Sequence, residues 1–205
     1  MNELVLGTHN KKKRAELELL LAPLGLKLLT LADFDDSIQV VEDGDTFQAN
    51  ATKKAVQQAV HLNRWVLGED SGLAVDALQG APGIYSARYA GTDGDDEANN
   101  RHLLSELGDL PLAKRTAHYV CHMTLADPTG QVHIDTESTC RGRIRATAAG
   151  SNGFGYDPLF EVIEYGQTFG QLGPAIKSVI SHRAKSMRQF VRKLTVLRAG
   201  LAASV

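Results

Sequence analysis

Leu17, Leu20, Leu21 and Leu24 recur at i, i+3, i+4 and i+7 between two short apolar runs, Leu4 to Leu6 and Leu26 to Leu31. That pattern commits the first forty residues to strand, loop, helix and strand, with Gly25 placed to end the helix. Asp45 and Gln48 have capping-box spacing, so a second helix is predicted from near Asp45 through an alanine-rich stretch to about Leu62. The apolar run Trp65-Val66-Leu67 reads as a strand ending at Gly68-Glu69-Asp70-Ser71-Gly72. Gly80-Ala81-Pro82-Gly83 reads as a shaped loop, and helix is predicted again over about Glu97 to Leu107. From Ala117 to Leu125 the chain alternates, Tyr119, Cys121, Met123 and Leu125 on one side and His118, His122 and Thr124 on the other. Asp127-Pro128-Thr129-Gly130 is a turn and Val132 to Cys140 alternates in reply, which predicts a long antiparallel hairpin. Met187, Phe190, Val191, Leu194 and Leu197 mark a last helix. No repeat or linker divides residues 1–205, so the reading is one α/β domain with a mixed sheet.

Composition removes several function classes. Hydrophobic residues at 43% and charged residues at 22% exclude a disordered chain. A net charge of −2 argues against a duplex-DNA binder, which needs excess cation to displace counterions. Leu4 to Leu6 is too short for a signal-peptide core, and Glu18, Pro23, Gly25 and Lys27 break the leucine-rich stretch that follows, so no membrane partner is expected. Two cysteines, Cys121 and Cys140, make neither a disulfide framework nor a metal cluster, and read as buried thiols in a reducing cytoplasm.

Four segments carry candidate chemistry. Thr8-His9-Asn10-Lys11-Lys12-Lys13 lies between the first strand and first helix. A helix N-terminus has unpaired N–H groups and partial positive charge, so the cations Lys11 to Arg14 conflict with it unless a phosphate binds there; a solvated basic turn is the alternative. Glu42, Asp43 and Asp45, and then Glu69 and Asp70 at the expected strand end, are placed to hold Mg2+ or act as a base; a capping cluster and a tight turn are the alternatives. Ser151-Asn152-Gly153-Phe154-Gly155-Tyr156-Asp157-Pro158 suits a ring laid beside a flat ligand, or a glycine turn with aromatics capping the core. Lys177, Ser181-His182-Arg183 and Lys185 precede the last helix as a site or as its polar entry. His118 and His122 read as hairpin-surface residues.

In this order the segments resemble the RdgB/Ham1-type inosine triphosphate pyrophosphatase family over nearly the whole chain. The markers are Thr8-x-Asn10-x-x-Lys13-x-x-Glu16, Thr46-Phe47, Asp70-Ser71-Gly72-Leu73, Gly80 to Tyr89, Gly153 to Pro158 and Ser181-His182-Arg183. The resemblance implies an elongated mixed sheet flanked by helices, two lobes with a central cleft, and a cytoplasmic homodimer. It also implies Mg2+-dependent hydrolysis of ITP, dITP and XTP to the monophosphate and pyrophosphate, which cleanses the nucleotide pool of deaminated purines. On it, Thr8, His9, Asn10, Lys11, Lys12, Lys13 and Lys54 hold phosphates. Glu42 and Asp70 bind Mg2+, and Asp70 also orients or deprotonates water. Ser71, Phe154, Gly155, Tyr156, Asp157, Lys177, His182 and Arg183 form the nucleoside site, with donors to the purine C6 carbonyl supplied by His182, Arg183 and the backbone of 154–157. His9, Lys12, Ala49 and Glu69 depart from the usual pattern, which leaves open whether Glu69 touches metal. A Maf-type pyrophosphatase and a non-catalytic nucleotide-binding module are the competing readings, and a single-stranded nucleic-acid binder is a distant third.

Overall fold

In β1 (Glu3–Leu6) and β3 (Val66–Val75) alternate side chains enter different apolar layers, and this two-sided burial organises the first half of the chain. The computed structural model describes residues 1–203. Among the described residues seven strands form one sheet in the order β2-β1-β3-β4-β5-β6-β7, where β2 is Lys27–Thr30, β4 Thr116–Ala126, β5 Val132–Ile144, β6 Phe160–Val162 and β7 Gln167–Thr168. β1 pairs in parallel with β2 and β3, while β6 pairs antiparallel with β5 and β7, so the sheet is mixed as expected. The helices are α1 (Lys11–Leu21), α2 (Phe47–Leu62), α3 (Asp96–Leu107), α4 (Pro174–Ile180) and α5 (His182–Ala203). Among the described residues no helix is long and apolar enough to cross a membrane.

The chain divides into two compact units. The first comprises Met1–Asp70, Cys121–Ser138 and the chain from Arg183; the second comprises Ser71–Val120 and Thr139–His182. In the first unit Leu4, Leu6, Leu67, Cys121 and Met123 face α1 and α5 through Leu17, Leu21, Met187 and Phe190. Val5, Val66 and Ala126 face Ala55 and Ala59 of α2. Gly68 lets α2 lie close on β3, since a Cβ there would stand 2.2 Å from the Ala51 carbonyl oxygen. The second unit has its own core of Leu73, Leu103, Tyr119, Phe160 and Phe169.

Several boundaries differ from the sequence reading. β3 does not stop at Gly68 but runs on to Val75, so Glu69, Asp70 and Ser71 lie inside a strand rather than at its end or in a turn. Charged residues in an apolar run look like a turn, but here each carboxylate has buried cationic partners that let the strand continue. α2 begins at Phe47 with Thr46 as its cap, the hydroxyl oxygen accepting the Ala49 N–H at 3.0 Å, in place of Asp45. Lys177 and His182 lie in helices, not in a polar entry. His122 is buried, not on the hairpin surface: its Nε2 meets Asp135 in a short contact and its Nδ1 lies 3.3 Å from Glu137 Oε2.

The hairpin turn yields a stability prediction. Asp127 accepts from Thr129 N (2.8 Å), Thr129 Oγ1 (2.6 Å) and Gln131 N (3.1 Å), and its other oxygen lies 2.7 Å from His133 Nε2. Partial burial would raise its pKa, but these contacts outweigh burial and hold it at about 2. A lowered carboxyl stabilises the fold above the unfolded value of about 4, and the contribution fades as pH falls through the folded value. Asp127→Asn is expected to cost about 1 kcal/mol at pH 7, with the gap closing toward pH 2 in urea unfolding series.

Candidate active site

Adjacent residues of a strand point to opposite faces, and β3 uses this to separate two carboxylates. Asp70 shares the α2 side with Gly68, and Lys54 of α2 reaches it there. The Lys54 ammonium donates to Asp70 Oδ1 at 3.1 Å and to Glu42 Oε2 at 2.8 Å, so one cation bridges both candidate metal ligands. Glu69 enters the other layer. Its Oε2 lies 3.1 Å from Lys13 Nζ, and its Oε1 accepts from Arg183 Nη2 at 3.1 Å and from Cys121 Sγ at 3.4 Å. Arg183 also donates to Glu16 in a short contact. Glu69 therefore sits in a buried cation network.

The basic turn resolves into separate jobs. Asn10 caps α1, accepting from Lys12 N at 3.0 Å and Lys13 N at 3.1 Å, and Thr8 Oγ1 accepts the Asn10 N–H at 3.2 Å. Two N–H groups expected for a phosphate are thus already engaged by the cap. The first turn of α1 contains no acid. Lys13 turns inward to Glu69 and Arg14 Nε bonds Glu18 at 2.8 Å, while His9, Lys11 and Lys12 are exposed.

Burial sets the electrostatics. It holds the Asp70 carboxyl above the ordinary aspartate range, with Lys54 and Lys13 pulling it down and Glu42 and Glu69 pushing it up. For Lys54 burial favours the neutral form, but Asp70 and Glu42 overturn this and the ammonium is retained. Burial likewise opposes the Arg183 charge, and Glu69 and Glu16 restore it. Among the described residues nothing hydrogen-bonds the buried Asp70 Oδ2. That oxygen has a lone pair to spare for a hard cation. Among the described residues no group of three or more His, Cys, Asp or Glu side chains is placed to hold a metal. Mg2+ suits such a sparse set, since it takes one or two carboxylates and completes its shell with water and phosphate.

The second unit builds a flat, charged subsite. Asp157 accepts from the Phe154 N–H at 2.9 Å, from Lys177 Nζ at 2.6 Å and from Tyr119 Oη at 3.4 Å. Lys177 Nζ stands 4.5 Å from the Phe154 ring centroid. The His182 ring stacks on Tyr119 at 4.6 Å and 11°. Gly153 has φ +76°, and a Cβ there would stand 1.9 Å from Asp157 Oδ2, so the turn needs glycine. The Gly155 N–H donates to Asp96 Oδ2 at 3.0 Å, and Asn100 Nδ2 donates to the Gly155 carbonyl at 2.9 Å. The N–H groups of Phe154 and Asp157 are therefore engaged within the loop and that of Gly155 by α3. Tyr156 lies in the core and its hydroxyl donates to the Ser86 carbonyl at 2.8 Å.

A model of the Ham1 family matches residues 4–193. The chain belongs to the Ham1 family. It is 55% identical over 194 residues to the dITP/XTP pyrophosphatase of Rhodopirellula baltica, covering 95% of this chain and 93% of that one. The dITP/XTP pyrophosphatase of Desulforamulus reducens is 47% identical, with 95% and 96% covered. A Ham1 protein of Coxiella burnetii superposes with a TM-score of 0.87 at 34% identity, covering 95% of this chain and 99% of that chain. Within this Ham1 chain, sequence reasoning missed Tyr119, Asp96 and Asn100, which support the second unit's subsite. Strand alternation marked Tyr119 as core, and nothing in sequence ties Asp96 or Asn100 to Gly155. Glu16 was visible only as the last residue of the first motif.

Proposed function

We propose that the chain hydrolyses dITP, ITP and XTP between the α and β phosphates, releasing the nucleoside monophosphate and pyrophosphate. The observation that carries this reading is the unengaged, buried Asp70 Oδ2 in a site that also contains Lys54 and Glu42. Glu42 and Asp70 would hold Mg2+, which supplies a Lewis acid for the phosphoryl oxygens and lowers the pKa of bound water. Asp70 orients the attacking water and takes its proton. Lys13 and Lys54 meet the charge that develops on the bridging oxygen as pyrophosphate leaves.

The second unit supplies the nucleoside groups. Because its loop N–H groups are engaged, the donors to a purine C6 carbonyl are side chains, Lys177 and His182, with Phe154 as the stacking ring. Adenine presents an amino group at that position, and a donor facing a donor would be rejected. The reading extends to a cytoplasmic homodimer acting on the free nucleotide pool, with neither nucleic acid nor membrane as partner.

A panel of dITP, ITP, XTP, dATP and dGTP with and without Mg2+ tests the reaction. Monophosphate and pyrophosphate are expected from the first three, with turnover of dATP at least about a hundredfold slower. Orthophosphate with a diphosphate product would overturn attack at the α phosphorus. Equal turnover of dATP would remove the base selectivity.

A further inference from the structure

Residues 37–44 form no helix or strand, yet Glu42 among them has its carboxylate within reach of the Lys54 ammonium that also binds Asp70. Ordering such a segment costs roughly 1–2 kcal/mol per residue in backbone entropy, so something must hold it. One face of α2 does. Asn50, Lys54, Gln58 and His61 follow at helical spacing, and each contacts a point on the segment before the helix. Asn50 Oδ1 accepts the Gly44 N–H at 2.8 Å, Lys54 Nζ donates to Glu42, Gln58 Nε2 donates to the Ile38 carbonyl, and His61 Nε2 lies 2.6 Å from the Asp36 carbonyl oxygen. The contacts run in opposite directions along the two stretches, 50 to 61 on the helix against 44 back to 36 in the chain before it.

The fit is close at its upper end. A Cβ on Gly44 would stand 2.7 Å from Ala49 Cβ and 2.8 Å from Asn50 Oδ1. Asn50 and Gln58 are each 1% exposed, so amides in a largely apolar helix face have been buried to make one backbone contact apiece. Burial of that kind costs free energy unless the contact is worth making. Neither amide changes the charge of the site.

We propose that Asn50 and Gln58 are positioning residues for the metal site, fixing the backbone on both sides of Glu42 so that its carboxylate is held beside Lys54 and Asp70. This rests on Glu42 being a metal ligand. The ladder restrains where the carboxylate sits before any cation arrives, and thereby sets metal affinity more than the rate of the chemical step.

The test uses the full chain with Mg2+ alone, titrated by calorimetry, alongside amide exchange over 38–44 and kinetics at saturating Mg2+. Asn50→Ala and Gln58→Leu are each expected to weaken Mg2+ binding about tenfold, as loss of supporting contacts around a metal does. Exchange over 38–44 rises, while kcat at saturating Mg2+ stays within about threefold, a split that general loss of stability would not produce. Gly44→Ala disturbs the same contact from the other side, so it should weaken Mg2+ binding less in the Asn50→Ala background than in the parent, the crowding against Ala49 Cβ being common to both. If Asn50→Ala fails to fold, Gln58→Leu and Gly44→Ala carry the same measurement. Glu42→Gln separates the two ideas. Weakened Mg2+ binding in Glu42→Gln with unchanged binding in the ladder variants overturns the positioning role and leaves Glu42 a ligand. Unchanged binding in Glu42→Gln overturns both.

Discussion

Asp70→Asn is expected to lower kcat on dITP by about a thousandfold or more while nucleotide still binds, because it removes both the proposed proton acceptor and a proposed anionic metal ligand. The substitution should not unfold the protein. Burial holds the Asp70 carboxyl above its ordinary pKa, so at neutral pH the ionised group favours the unfolded chain, where it is hydrated. The asparagine variant relieves that cost but takes one carboxylate from the buried Lys54 ammonium, which keeps Glu42, so the melting temperature is expected to shift by only a few degrees. Single-turnover kinetics and a melting curve check both halves. Retention of more than about a tenth of the parent rate would assign the base to another group.

Glu69→Gln gives the opposite pattern, a large stability effect with a small effect on metal. Glu69 is 1% exposed and lies against two cations, Lys13 and the fully buried Arg183. Removing its charge takes one of the two carboxylates from the Arg183 guanidinium, which keeps Glu16. Breaking a buried pair from one side costs roughly 3 kcal/mol or more, which in a chain of this size lowers the melting temperature by about 10 °C. The Mg2+ concentration for half-maximal activity should stay within about twofold, since Glu69 faces the layer away from Glu42 and Lys54. A rise of tenfold in that concentration would make Glu69 a metal ligand after all.

The contrast between these neighbours shows what was legible in the sequence. Strand-helix-strand at the start, the hairpin and the last helix were readable because Leu17 to Leu24, Ala117 to Leu125 and Met187 to Leu197 each obey one period. The family resemblance assigned Lys13, Lys54 and Asp70 to the site, and the structure puts the Lys54 ammonium on Asp70. The role of Glu69 was not legible. Two acids in a row after an apolar triplet look like the end of a strand, and only the side chains arriving from α1 and α5 make burial tolerable. His122 was misread for a similar reason: its alternation phase was right, but the Asp135 and Glu137 carboxylates that permit burial come from the next strand. Local pattern reports which face a residue takes, whereas the identity of what covers that face is decided by contacts distant in sequence. Asn50 and Gln58 show this most plainly, since in an alanine-rich helix they look like solvent-facing residues.

The back-to-back placement of Glu69 and Asp70 has an evolutionary corollary. Inserting or deleting a single residue upstream in β3 would rotate the pair by half a repeat, presenting the longer acid to Lys54 and the shorter one to Arg183. Homologous chains can thus vary freely in length in their surface connections, but β3 should admit no insertion or deletion between Trp65 and Asp70.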